Sequence, residues 1–137
     1  MIDASAIVPV LAGESWSARA GKWFAAQDHL DESVTVDLFD AECASALWKR
    51  VRRAHWSVED AERALGRALA LPFSRIALGD VVADALRLSL RLDTTVYDAC
   101  YVALAVASGL PLVTADRRLA RAARKAGCDA LCFTEEV

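Results

Sequence analysis

No stretch of this sequence stays apolar long enough to cross a bilayer: the longest apolar helical pattern covers about thirteen residues, against the roughly twenty that a span requires. The apolar run from Ala4 to Ala12 does not read as a secretory leader either, because it is interrupted by Pro9 and preceded by Asp3 instead of basic residues. A cytoplasmic protein without membrane attachment is therefore expected. Repeats, low-complexity tracts and Pro-, Gly- or Ser-rich linkers are absent, so nothing divides residues 1–137 into more than a single domain. Histidine is scarce and scattered, at His29 and His55. Cys128 and Cys132, whose spacing is loosely that of zinc ligands, thus have no second pair to complete a site. With Cys43 and Cys100 they lie in apolar patterns, where a free cysteine behaves as a small buried hydrophobe.

What is present is a chain of 137 residues, 55% of them hydrophobic, enough for one sizeable core. The net charge of −3 conceals a segregation. Of sixteen Lys and Arg, nine fall in two runs: Lys49, Arg50, Arg52 and Arg53, then Arg117, Arg118, Arg121, Arg124 and Lys125. Taken alone, each run is a solvated helix face.

Strand and helix patterns alternate along the chain. Met1 to Asp3 reads as the end of a strand and Ser5 to Leu11 as a short helix. Glu14 to His29 reads as an amphipathic helix with Trp16, Ala20, Trp23 and Phe24 on one face, anchors for the core or for a subunit interface. Ser33 to Val36 is a strand, and Asp37 to His55 a long helix whose apolar stripe runs through Phe39, Cys43, Leu47 and Val51. Ser57 opens a helix that Pro72 closes. Phe73 to Leu78 is a strand, Asp80 to Leu92 a helix, and Thr94 to Ser108 a helix ended by Gly109 and Pro111. Pro111 to Thr114 is a strand, Asp116 opens a helix reaching Ala126, and Ala130 to Phe133 is the last strand before a loose tail, Thr134 to Val137. Short apolar strands between helices predict a three-layer α/β/α domain around a parallel five-stranded sheet. Right-handed crossovers gather every strand's carboxyl end on one edge.

Asp98 is the lone carboxylate of an otherwise apolar helix, TTVYDACYVALAVAS, and burying it unpaired costs several kcal/mol unless it faces water or a cation. Thr95 and Asp98 also fit a capping box, which gives the same residue a purely structural role. Asp3 and Asp116 each follow a strand, at the edge where open α/β sheets place their ligands; the structural role of Asp3 is to cap the helix after it. Carboxylates gathered at one edge repel unless a cation neutralises them, and all-oxygen ligation suits Mg²⁺ or Mn²⁺ better than zinc. Basic helices beside such an ion point to a phosphodiester substrate. Glu42, at the flank of the apolar stripe on its helix, reads by pattern as a surface residue, and periodicity gives no reason to prefer it to Asp40.

Four segments in this order and spacing, MIDASAIVPVL, DLFDAECASALWKRVRR, TTVYDACYVALA and LVTADRRLARAA, resemble the PIN domain family and within it the VapC toxins of bacterial toxin–antitoxin pairs. The resemblance runs nearly end to end. It implies the fold inferred above, a Mg²⁺- or Mn²⁺-dependent ribonuclease, and a catalytic and metal-binding quartet of Asp3, Glu42, Asp98 and Asp116. Ser5 and Thr114 are implied as supporting hydroxyls. The implied reaction is hydrolysis by an activated water, leaving a 5′-phosphate and a 3′-hydroxyl. Arg117 and Arg118, directly after Asp116, are the candidates for RNA phosphate contact. A VapB-like antitoxin and a second copy of the chain are the implied protein partners, with Trp16, Trp23 and Phe24 the candidate surface for either.

Other acidic α/β families fit less well. A haloacid dehalogenase requires a second Asp two positions after the first, where this chain has Ser5. A receiver domain requires an Asp after its third strand, which Arg75 to Leu78 does not supply. An adhesion-type DxSxS motif fails at Ile7. The rival from another class is a PIN-like domain kept for RNA or protein binding with little or no nuclease activity.

Overall fold

The structure, a computed structural model, describes residues 1–14, 17–53 and 55–135; Trp16, part of the proposed aromatic face, lies outside them. Seven helices of the described chain are α1 (Ala4–Leu11), α2 (Ala18–Ala25), α3 (Leu38–Arg53), α4 (Val58–Leu69), α5 (Leu78–Leu92), α6 (Val96–Ser108) and α7 (Arg117–Lys125). Four strands of three residues alternate with them: β1 (Val34–Val36), β2 (Ser74–Ile76), β3 (Leu112–Thr114) and β4 (Ala130–Cys132).

The helix boundaries follow local chemistry. Ser57 caps α4 by accepting from the Asp60 amide, and Thr95 caps α6 by accepting from the Asp98 amide at 3.1 Å. Gly109, at φ 65°, ends α6 in the left-handed conformation that glycine adopts without strain. The helix expected over Glu14 to His29 is shortened to α2. Before it, the Ser17 hydroxyl donates to the carbonyls of Pro9 and Glu14, and after it the Gln27 amide takes the Trp23 carbonyl; such side-chain bonds compete with the helical ladder. Thr134 and Glu135, expected to be loose, are held by Arg117 and Arg124.

The expected five-stranded sheet is only partly formed. β1 pairs with β2 and β3 with β4, both parallel, as two separate ladders. Residues 1–3 lie between them and contribute one parallel bridge, Ile2 to Val113, in place of a fifth strand. The Ile2 amide donates to Val34 and the Val113 amide to Met1, so this segment still joins the two pairs. Because α1 begins at Ala4, only the peptide groups around Ile2 are extended enough to pair.

Side-chain alternation builds the layers. Met1 and Leu112 point into a cluster formed with α5, α6 and α7, while Ile2 and Val113 point into one formed with α1 to α4. Helices thus cover both faces of the strand layer. Trp23 packs edge-on against Phe24 and Phe133, and Phe24 is buried in the core while Trp23 stays half-buried at its rim. All four cysteines are free and buried. Burial pushes the Cys43 thiol up to about 12, so it stays protonated and inert.

Candidate active site

Parallel pairing sets Asp3 and Thr114 at the same edge, and the site grows from there. Asp3 occupies the N-cap position of α1, yet its side chain makes no capping bond. Instead Asp3 Oδ2 accepts from the Thr114 hydroxyl at 2.7 Å and from the Ser5 hydroxyl. Those hydroxyls accept in turn from backbone amides, Ser5 from Ala115 at 2.9 Å and Thr114 from Asp116 at 2.9 Å. Both hydroxyls are thereby held within donating distance of Asp3, which lines the cleft. Burial at 5% exposure raises the Asp3 pKa, the two hydroxyls oppose that rise, and the charge of Asp116 adds to it.

Asp116 does cap its helix: Oδ1 accepts from the amides of Arg118 at 2.7 Å and Leu119 at 3.2 Å. Asp98 stands in the first turn of α6, with only a long 3.4 Å contact from the Thr94 hydroxyl. Glu42, on α3, accepts from the Tyr101 hydroxyl of α6. Its pKa is pushed up to about 7, chiefly by burial and further by the charges of Asp3 and Asp98, while the Tyr101 bond acts the other way.

These four carboxylates, from four separate segments, line one cleft of about 340 Å³ together with Ser5, Ser45 and Lys49. Among the described residues no three His, Cys, Asp or Glu side chains form a preformed metal-ligand group, so the acids share the cleft without meeting at one point. None of the four is in an ion pair among the described residues, whereas the neighbouring Asp40 is bound by Arg75 at 2.9 Å. Their donors are hydroxyls and backbone amides, which orient a carboxylate without cancelling its charge. Desolvated, mutually repelling oxygen ligands of this kind fit a hard divalent cation.

Of the two arginines chosen from the sequence, Arg117 lines an adjoining pocket that shares Ser5, Ala46 and Asp116 with this cleft, and Arg118 lines another. Arg117 donates through Nε to the Thr134 carbonyl at 2.9 Å. Arg118 lines a neighbouring pocket of about 200 Å³ with Arg121, Lys125, Asp93 and Thr94. Arg50 is likewise engaged, with Glu14 and the Ala46 carbonyl. Sequence reasoning missed Lys49 and Tyr101. Lys49 lies seven positions after Glu42, on the same side of α3. Tyr101 carried a usable signal, since a phenol within an apolar helix must find a partner when buried.

A family model described as PIN domain matches residues 1–125. Ribonuclease VapC3 of Pyrobaculum aerophilum is 37% identical over 123 residues, covering 88% of this chain and 91% of that protein. Ribonuclease VapC1 of Mycobacterium tuberculosis is 38% identical over 129 residues, 89% of each. The crystal structure of PAE2754 from Pyrobaculum aerophilum superposes with a TM-score of 0.69 at 30% identity, over 94% of this chain and 81% of that one.

Proposed function

The chain belongs to the PIN domain family as a VapC-type ribonuclease, and from that premise we propose that Asp3, Glu42, Asp98 and Asp116 hold Mg²⁺ or Mn²⁺ at the point where an RNA phosphodiester is hydrolysed. The observation that carries this reading is the convergence of four unneutralised carboxylates on one cleft. A bound divalent cation supplies neutralisation of the phosphate's charge and a lowered pKa for the attacking water. The chain's own contribution is orientation. Ser5 and Thr114 fix Asp3 through its Oδ2, the α7 amides fix Asp116, and Lys49 offers a positive charge to the incoming phosphate.

For the RNA backbone we favour one face of α7. Arg117 and Arg124 are engaged with Thr134 and Glu135, whereas Arg118, Arg121 and Lys125 line a shared pocket and make no ion pair among the described residues. The phosphate role foreseen for the Arg117–Arg118 pair therefore rests mainly on Arg118.

VapC-type ribonucleases act opposite a VapB-type antitoxin, and no helix among the described residues is long and apolar enough to cross a membrane. A cytoplasmic enzyme paired with such an antitoxin is the reading we adopt. We assign homodimer contact to α5, whose Val82, Leu86 and Leu90 are 46%, 52% and 79% exposed along one stripe. That stripe lies to one side of the buried Val81 and Ala85, so a second copy would cover it by packing its own α5 against it about a two-fold axis.

The direct test is cleavage of RNA by purified protein with Mg²⁺ or Mn²⁺, beside Asp98→Asn. Wild type is expected to cut and the variant to lose most activity. Equal cleavage by the two would refute the site.

A further inference from the structure

We propose that Tyr101 is the positioning residue for Glu42: its buried hydroxyl holds one oxygen of that carboxylate and so directs the other into the cleft as a cation ligand. The proposal rests on the four-carboxylate reading above. Tyr101 is 1% exposed and is the largest fully buried side chain among the described residues. It sits one turn beyond Asp98 on α6, with its ring in the cluster under that helix. Its hydroxyl donates to Glu42 Oε2, tying α3 to the helix that carries a second acid of the site. Burial and the surrounding negative charges raise the Tyr101 pKa, so the phenol remains a donor.

Asp40 shows what a different partner does on the same helix. Two residues from Glu42, it is bound through both oxygens by the Arg75 guanidinium, at 3.0 and 2.9 Å, and its charge is spent there. A phenol also holds a carboxylate oxygen but brings no positive charge of its own. Glu42 is therefore oriented without a built-in counter-charge, which leaves neutralisation to a cation in the cleft. A merely structural tyrosine would need some acceptor, but not this one.

Mn²⁺ binding by metal-free protein, followed by electron paramagnetic resonance, tests the idea in wild type, Tyr101→Phe, Glu42→Gln and the double variant. Tyr101→Phe should weaken binding about tenfold, while the double variant should bind no more weakly than Glu42→Gln alone. Wild-type affinity in Tyr101→Phe, or an equal loss in both backgrounds, would overturn the positioning role and leave the carboxylate site intact. Absence of Mn²⁺ binding by wild type would overturn both. Should Tyr101→Phe fail to fold, fluorotyrosine-labelled protein keeps the question open to measurement. The buried Tyr101 fluorine resonance should move on Mg²⁺ addition in wild type and stay still in Glu42→Gln; a resonance indifferent to Mg²⁺ in wild type would reject the proposal.

Discussion

Thr114 donates to Asp3 at 2.7 Å across 111 positions of sequence, and the same hydroxyl accepts from the amide of Asp116. One side chain therefore orients two acids of the site. Replacing it by Val keeps the shape and removes both bonds, leaving a largely buried carboxylate short of a donor. Thr114→Val is expected to destabilise the protein by about 1–3 kcal/mol and to weaken Mn²⁺ binding, whereas Thr114→Ser should retain both. Denaturant melts and Mn²⁺ titration of the pair check this; a Val variant that binds metal like wild type would show that the hydroxyl does not orient Asp3.

The metal-free protein should be an acid-stabilised one. Glu42 has a folded-state pKa of about 7 against an ordinary 4.5, and Asp3 is shifted the same way. The folded state therefore binds these protons more tightly than the unfolded state does. Stability from Glu42 is fully present below about 4.5 and is lost as pH rises through about 7, and Asp3 contributes in the same direction. The Met1 ammonium, lowered by burial, acts in the opposite sense nearer its usual 8.0, so the comparison is made against Glu42→Gln. Between pH 5 and 8, without metal, wild type should lose stability relative to that variant, and Mg²⁺ should remove the difference. Parallel melting curves across this range would contradict it.

Much of the site was legible because carboxylates in apolar surroundings violate burial rules visibly. Asp98 within VYDACYVALA and the acids that follow strands stood out for that reason. Glu42 did not, because the pattern of α3 marks neither acid, and Glu42 and Asp40 are told apart by partners that arrive from 59 and 35 positions away, Tyr101 for Glu42 and Arg75 for Asp40. The resemblance to a family chose Glu42; a cation on one acid and a phenol on the other explain the choice. The fold's order of elements was readable from periodicity, but the central strand was not, since pairing at residues 1–3 depends on where α1 begins. The division of the second basic run was likewise hidden, because it depends on the course of the chain around Thr134 and Glu135.

That division makes a quantitative expectation for RNA. With the Asp98→Asn protein as a non-cleaving binder, Ala substitution at Arg118, Arg121 or Lys125 should weaken binding of single-stranded RNA and lower the salt slope by about 0.7 for each phosphate contact removed. Arg124→Ala, which loses the Glu135 pair, should leave the slope unchanged. Fluorescence anisotropy over a range of salt measures both. A larger slope change at Arg124 than at Arg118 would reverse the assignment of the two faces.

The α5 stripe predicts how two copies meet. Leu90 is 79% exposed and Leu86 52%, a cost in solvated apolar surface that a second copy would remove. An isologous antiparallel contact brings Leu86 near the two-fold axis, so one substitution there is felt twice. Leu86→Glu places two like charges at the centre of the interface and should convert a dimer into a monomer, with the melting temperature of the monomer little altered because the position is already exposed. Sedimentation velocity distinguishes the outcomes: a wild-type dimer that Leu86→Glu converts to a monomer supports the contact, and indifference to the substitution would move the interface away from α5.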